Sequence, residues 1–196
     1  MMLNILRDPG EVILWGGYPA LGLVVFLETG ALVFFLPGDS LLVVAGLYAA
    51  KGDLNILALN ALLIPLAILG DATSYLIGAR LGNAIFNRPK ARLLKPQHLK
   101  AAQAFYERHG GKAIVMARFV PIVRTFVPVV AGAAQMTYRR FATFNVIGGA
   151  RWVLSMTLLG FFLGTRFPMV VQHIEKVIIS IVFLSILPAL IEFVRH

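Results

Sequence analysis

The chain has 196 residues, 59% of them hydrophobic, with a mean hydropathy of +0.82, a net charge of +9 and no cysteine. This composition lies far from that of an ordinary soluble domain, and it excludes disulfide and thiolate chemistry. The cations gather between long apolar windows, which points to membrane topology rather than to nucleic acid.

Residues 2–16 predict a short interfacial helix interrupted at Pro9-Gly10. No basic region followed by a short apolar core and cleavage site is seen there, so the first apolar stretch is expected to stay in the mature protein. Residues 18–50 carry only Glu28 and Asp39 as charges and are cut by Pro19 and Pro37-Gly38. Proline breaks a helix, and broken backbone at membrane depth needs protein or water around it. The stretch therefore predicts a re-entrant hairpin with its tip near Phe34–Asp39. Residues 54–80 predict a spanning helix that holds Asp71 and is open to a kink at Pro65. Residues 83–112 form a basic segment, partly amphipathic helix, with Arg88, Lys90, Arg92, Lys95, Lys100 and Arg108 against a single acid, Glu107. Excess positive charge places that segment in the cytoplasm. Residues 113–137 repeat the broken pattern with Pro121 and Pro128, and 140–165 and 174–194 predict two more spanning helices. The expected fold is all-α: one integral membrane domain, 1–196, with about three spanning helices and interfacial amphipathic helices.

The pattern recurs along the chain. Phe35 and Pro37 match Phe119 and Pro121 at an offset of 84, and Val43-Val44-Ala45-Gly46 matches Val129-Val130-Ala131-Gly132 at 86. Asn60 matches Asn145 at 85, and Gly78/Gly82 match Gly160/Gly164 at 82. Repeat 1 covers about 18–82 and repeat 2 about 113–165. Helix 54–80 ends where the basic segment begins, whereas helix 140–165 starts beside Arg139-Arg140. The two then run in opposite directions, and their hairpins enter from opposite faces: an inverted repeat, as in many transporters. The C-terminus, with Arg195 and His196, falls in the cytoplasm. The N-terminus lies outside if 18–50 is re-entrant and inside if part of it spans.

Charges inside hydrocarbon are costly and tend to be functional. Glu28 and Asp39 fall in the first repeat; Arg118 and Arg124 fall in the second, separated by Pro121. Arginines six residues apart would point in different directions on a regular helix, about 240° apart. A break at the proline lets both face one cavity. Two guanidinium groups suit a phosphate dianion. Burial favours the neutral form of a carboxyl group. Glu28 and Asp39 are thus candidates for proton coupling: protonated, they release the arginines to phosphate, and deprotonated, they expel it. The competing reading is that the four charges only neutralise one another. Ser40, Thr125 and Asn145 are candidates to complete head-group hydrogen bonds, although Ser and Thr often bond their own helix. Asp71 and Arg151 either pair with each other or join the site. The paired glycines fit helix packing, and Trp152, Tyr138 and Tyr18 fit interfacial anchors. No metal or nucleotide motif is present, so neither a metal site nor a cofactor is expected.

The stretches FLETG (26–30), FLPGDSLL (35–42), GDATSYLIGARLG (70–82), ARFVPIVRTFVPVVAGAAQM (117–136) and FATFNVIGGARW (141–152) resemble the bacterial DedA family, related to the wider VTT/SNARE-associated membrane proteins. The resemblance covers about residues 18–165. It implies that the family's essential acids fall on Glu28 and Asp39 and its essential arginines on Arg118 and Arg124. It also implies two opposed re-entrant hairpins in a bacterial inner-membrane protein, and a lipid-carrier role: return of undecaprenyl phosphate to the cytoplasmic leaflet, phospholipid movement or proton-dependent membrane homeostasis.

The expected function is transport of a phosphate-bearing lipid, undecaprenyl phosphate, coupled to protons. Alternatives are a flippase or scramblase for a phospholipid such as phosphatidylethanolamine, and a proton-coupled antiporter of small cations. A lipid phosphatase is disfavoured because no histidine lies near the arginines to serve as acid, base or nucleophile. The expected partners are the lipid phosphate, surrounding membrane lipids and, as a candidate, a second copy in a homodimer; nucleic acid is not expected.

Overall fold

The computed structural model describes residues 9–30, 38–86, 112–118, 121–167, 169–170, 173 and 176. Among them are six helices: α1 (Pro9–Gly30), α2 (Gly38–Lys51), α3 (Ile56–Phe86), α4 (Lys112–Ala117), α5 (Pro121–Ala133) and α6 (Tyr138–Arg166). Most of the tip of the first expected hairpin, most of the basic segment and most of the C-terminal helix lie outside the described residues, while Gly38 and Asp39 of that tip begin α2.

Local chemistry sets the helix ends. Pro9 opens α1 rather than breaking it, as suits a residue with no N–H at a first helical position. The interruption falls instead at Gly17, whose φ of 51° and ψ of −139° leave the helical region. Such a backbone is open to glycine, and it comes two residues before Pro19, which lacks the N–H to continue the ladder. Helix α2 ends at Gly52 (φ 96°), where Gly52 N–H bonds Ala49 O at 3.2 Å and Asp53 N–H bonds Tyr48 O at 3.0 Å. These paired bonds form a Schellman cap. Asn55 then caps α3: its Oδ1 accepts from Leu57 N at 2.9 Å and Ala58 N at 3.1 Å. Helix α5 starts at Pro121 and closes with the same capping bonds, Gln135 N–H to Gly132 O and Met136 N–H to Ala131 O, both 3.0 Å. Here Gln135 takes the left-handed position at φ 56°.

Two helices, over Ile56–Leu81 and Tyr138–Arg166, are long and apolar enough to cross a membrane. Their lengths match the predicted spans 54–80 and 140–165 closely. Both expose large apolar side chains, among them Leu57, Leu69, Leu76, Leu158 and Phe162, which suits a lipid-facing surface.

The chain divides into two compact units. One contains α1 up to Val25, α2, α3 up to Pro65 and α6 from Val153. In it α2 and α6 cross with backbones nearly touching: a Cβ on Gly46 would overlap the Thr157 carbonyl oxygen, and one on Gly160 would overlap Val43 O. The buried Thr157 hydroxyl donates to Asn60 Oδ1 at 2.8 Å. The other unit contains the end of α1 from Phe26, α3 from Leu66, α4, α5 and α6 up to Trp152. There α5 and α3 make an equivalent crossing: a Cβ on Gly78 would overlap Val129 O, and one on Gly132 would overlap Tyr75 O. A core of Tyr75, Ile114, Ala131, Ala134 and Phe141 closes around it, with the Tyr75 and Phe141 rings stacked 4.5 Å apart.

Candidate functional site

The second unit holds the buried charges, and the local packing explains why they meet. The end of α1 crosses α3 where both helices carry glycine. A Cβ on Gly70 would strike the Thr29 side chain, and one on Gly30 would lie 3.2 Å from the Gly70 Cα. The last carbonyls of a helix lack intrahelical partners, and Ser74 Oγ supplies one here, its single proton shared between Thr29 O at 2.7 Å and Gly30 O at 3.0 Å. Glu28 is thereby fixed at the end of α1, beside the part of α3 that carries Asp71.

The arginines come from either side of a helix break. Arg118 follows α4 in a turn, and Arg124 lies one turn into α5 after Pro121. Arg124 Nη2 donates to Glu28 Oε1, and Arg118 Nη2 donates to Asp71 Oδ2. Glu28, Asp71 and Arg118 are all buried. Two cations meet two anions, as buried charge requires.

One face of α6 completes the site. Asn145 Oδ1 accepts a second bond from Arg118 Nη2. Its Nδ2 donates to Ile68 O at 3.0 Å, and this second bond turns the acceptor end of the amide toward the arginine. Gly148 and Gly149 leave room for the Arg118 side chain: a Cβ on Gly148 would lie 2.9 Å from its Cδ and Nε, and one on Gly149 would lie 3.4 Å from its Nη1. Trp152, only 1% exposed, lays its ring 4.4 Å from the Arg124 guanidinium carbon, within cation–π range. Arg118 Nε is buried with no hydrogen-bond partner among the described residues. Glu28, Asp71, Arg118, Arg124, Thr125 and Trp152 line a common cavity of about 20 Å³, room for about one water molecule.

Of the sequence candidates, Glu28, Arg118, Arg124, Thr125 and Asn145 are thus gathered in one unit. Asp71 joins them as the partner of Arg118, and Arg151 is exposed on α6. Asp39 and Ser40 belong to the other unit, in the first turn of α2, where Asp39 is half-buried and Ser40 buried. Sequence reasoning missed Ser74 and the two glycines Gly148 and Gly149, and it placed Trp152 at an interface although its ring is buried against Arg124. The signal was available: Asn145, Gly148, Gly149 and Trp152 are spaced i, i+3, i+4 and i+7, which is one helix face. Among the described residues no cluster of His, Cys, Asp and Glu could hold a metal ion.

The model of the VTT domain matches residues 36–162. The chain is 48% identical to Protein DedA of Escherichia coli (strain K12) over 182 residues, covering 91% of this chain and 83% of that protein. It is 38% identical over 165 residues to Inner membrane protein YghB of the same strain, covering 84% of this chain and 74% of that protein. It is 35% identical over 170 residues to Inner membrane protein YqjA, again of that strain, covering 86% and 77%. No solved structure matches the chain.

Proposed function

Because this chain belongs to the DedA family of VTT-domain membrane proteins, we propose that it carries undecaprenyl phosphate across the bacterial inner membrane, with Arg118 and Arg124 receiving the phosphate. The observation that carries the reading is the pair of guanidinium groups in one cavity, each held by its own carboxylate. A cavity of about 20 Å³ is too small for a phosphate head group as it stands. The ligand must therefore replace the carboxylates rather than fill free space.

Proton uptake provides the exchange. Neutralising Glu28 and Asp71 leaves two uncompensated guanidinium groups, the charge that a phosphate dianion balances. Loss of those protons from Glu28 and Asp71 restores both ion pairs and expels the lipid. Asp39, in the first turn of α2, is a further proton carrier in this scheme. The polyprenyl tail stays in lipid throughout, and no bond is broken.

The architecture proposed with it is an inverted repeat of two opposed re-entrant hairpins, with the basic segment and the C-terminus in the cytoplasm. Its support is the equivalent glycine crossing in each unit, Gly46 with Gly160 and Gly78 with Gly132.

The test is transport of labelled undecaprenyl phosphate in proteoliposomes under a proton gradient. Arg118→Gln and Arg124→Gln should each lower the rate by about a hundredfold, the scale of a lost charge-assisted contact. Wild-type rates in both variants would reject the assignment, and release of inorganic phosphate would reveal an enzyme instead. A second reading, transport of phosphatidylethanolamine, is favoured by Glu28 and Asp71 beside the arginines, since a zwitterionic head group matches both signs. Equal vesicles loaded with either lipid distinguish the two.

A further inference from the structure

Both arginines rest on a single surface of α6. Asn145, Gly148, Gly149 and Trp152 follow one another at i, i+3, i+4 and i+7, so they project from one side of the helix. Each touches or clears a guanidinium side chain: Asn145 bonds Arg118, the two glycines admit its stem, and Trp152 lies against Arg124. The face therefore sets where the two cations stand relative to each other.

We propose that this face is the positioning surface of the site, and that Trp152 keeps the Arg124 guanidinium in place while Glu28 is exchanged for the phosphate of the substrate. The inference rests on the transport reading above and adds a residue role to it. The chemistry follows from how two of the supports of Arg124, Glu28 and Trp152, differ. Glu28 holds Arg124 chiefly by charge, and that hold weakens to a neutral hydrogen bond when the carboxylate takes a proton. The indole face attracts a cation through its quadrupole and carries no titratable group. Of the two, only the ring contact is unchanged by protonation. An arginine that loses both contacts is less well ordered, and the incoming phosphate bears more of the cost of ordering it. The ring lies against the guanidinium 4.4 Å from its central carbon, so the contact does not use the Nη2 that Glu28 holds. Trp152 is a positioning residue, acting through Arg124.

The experiment uses the full chain with Trp15→Phe, which leaves Trp152 as its only tryptophan. Emission is recorded without lipid in three proteins: this background, the background with Glu28→Gln and the background with Arg124→Gln. The expected result is that Glu28→Gln leaves the Trp152 emission unchanged while Arg124→Gln shifts it, because the stack outlives the loss of the carboxylate charge. A shift in Glu28→Gln as large as in Arg124→Gln overturns the proposal. Transport of undecaprenyl phosphate is then compared in Trp152→Phe and Trp152→Leu. The aromatic variant should stay within about threefold of the parent, and the aliphatic one should raise KM by about tenfold with kcat little changed. Parental KM in Trp152→Leu also overturns it. If the parent moves no undecaprenyl phosphate, the substrate assignment fails, while the emission comparison still decides the role of the ring.

Discussion

At the residue scale, the site is a set of charges that only make sense in pairs. Removing one member of a buried ion pair strands its partner, at a cost of about 3–5 kcal/mol. Asp71→Ala should therefore destabilise the protein by about that much, whereas Asp71→Asn, which keeps an acceptor for Arg118, should cost clearly less. Thermal unfolding in detergent measures both, and equal losses would show that the Arg118 contact does not govern stability. Gly148→Ala tests the same contact from the other side. Its new Cβ would lie 2.9 Å from the Arg118 Cδ and Nε, so the arginine stem must shift. Transport should fall by about tenfold, the effect of a misplaced binding group, and stability should fall less than in Asp71→Ala, because both members of the ion pair remain. Much of this site was legible in advance, because Glu28, Arg118 and Arg124 are isolated charges in apolar windows and such charges need a reason. The identity of each partner was not legible. Asp71 and Arg118 are 47 residues apart, and nothing in helical periodicity links them. Trp152 was misread because tryptophan in a membrane sequence is more often an interface anchor than a platform for a cation.

At the element scale, the short helices matter as much as the long ones. α2 and α5 carry the same Val-Val-Ala-Gly, and in both the glycine meets the backbone of a long helix. Without a strong hydrophobic drive between helices in lipid, such close approach is a main source of adhesion. Gly132→Ala should cost about 1–3 kcal/mol through overpacking, and Gly46→Ala should cost a similar amount for the same reason. Scanning calorimetry of the two variants checks this, and an unaffected Gly132→Ala would mean that the crossing can relax without penalty. The long helices were readable from hydropathy to within a few residues. The break in α1 was not: Pro9-Gly10 looked like the interruption, but Pro9 fits a first helical turn and Gly17 takes the left-handed backbone. Asn60 and Asn145 are matched in the sequence at an offset of 85. The helix starts at Ile56 and Tyr138 and the crossing glycines Gly78 and Gly160 both give 82, so the two asparagines stand nearly a turn apart in register.

At the scale of the whole molecule, each crossing joins a short helix from one half of the sequence to a long helix from the other half: α2 to α6 in the first unit and α5 to α3 in the second. An inverted repeat would produce this exchange twice, because a two-fold axis in the membrane plane maps one crossing onto the other. The membrane sides of the helix ends provide a sharp test. If the basic segment is cytoplasmic, with α3 running toward it and α6 running away from Arg139-Arg140 on the same side, the start of α3 and the end of α6 lie outside, and the start of α6 lies inside. The chain contains no cysteine, so single cysteines can report each end without background. Asp53→Cys and Arg166→Cys, at exposed positions, should react with a membrane-impermeant maleimide in intact spheroplasts. Arg139→Cys, also exposed, should react only after permeabilisation. Labelling of Asp53→Cys and Arg139→Cys from the same side would make the two long helices parallel, leaving the matching glycine crossings as a feature of local packing rather than of an inverted transporter.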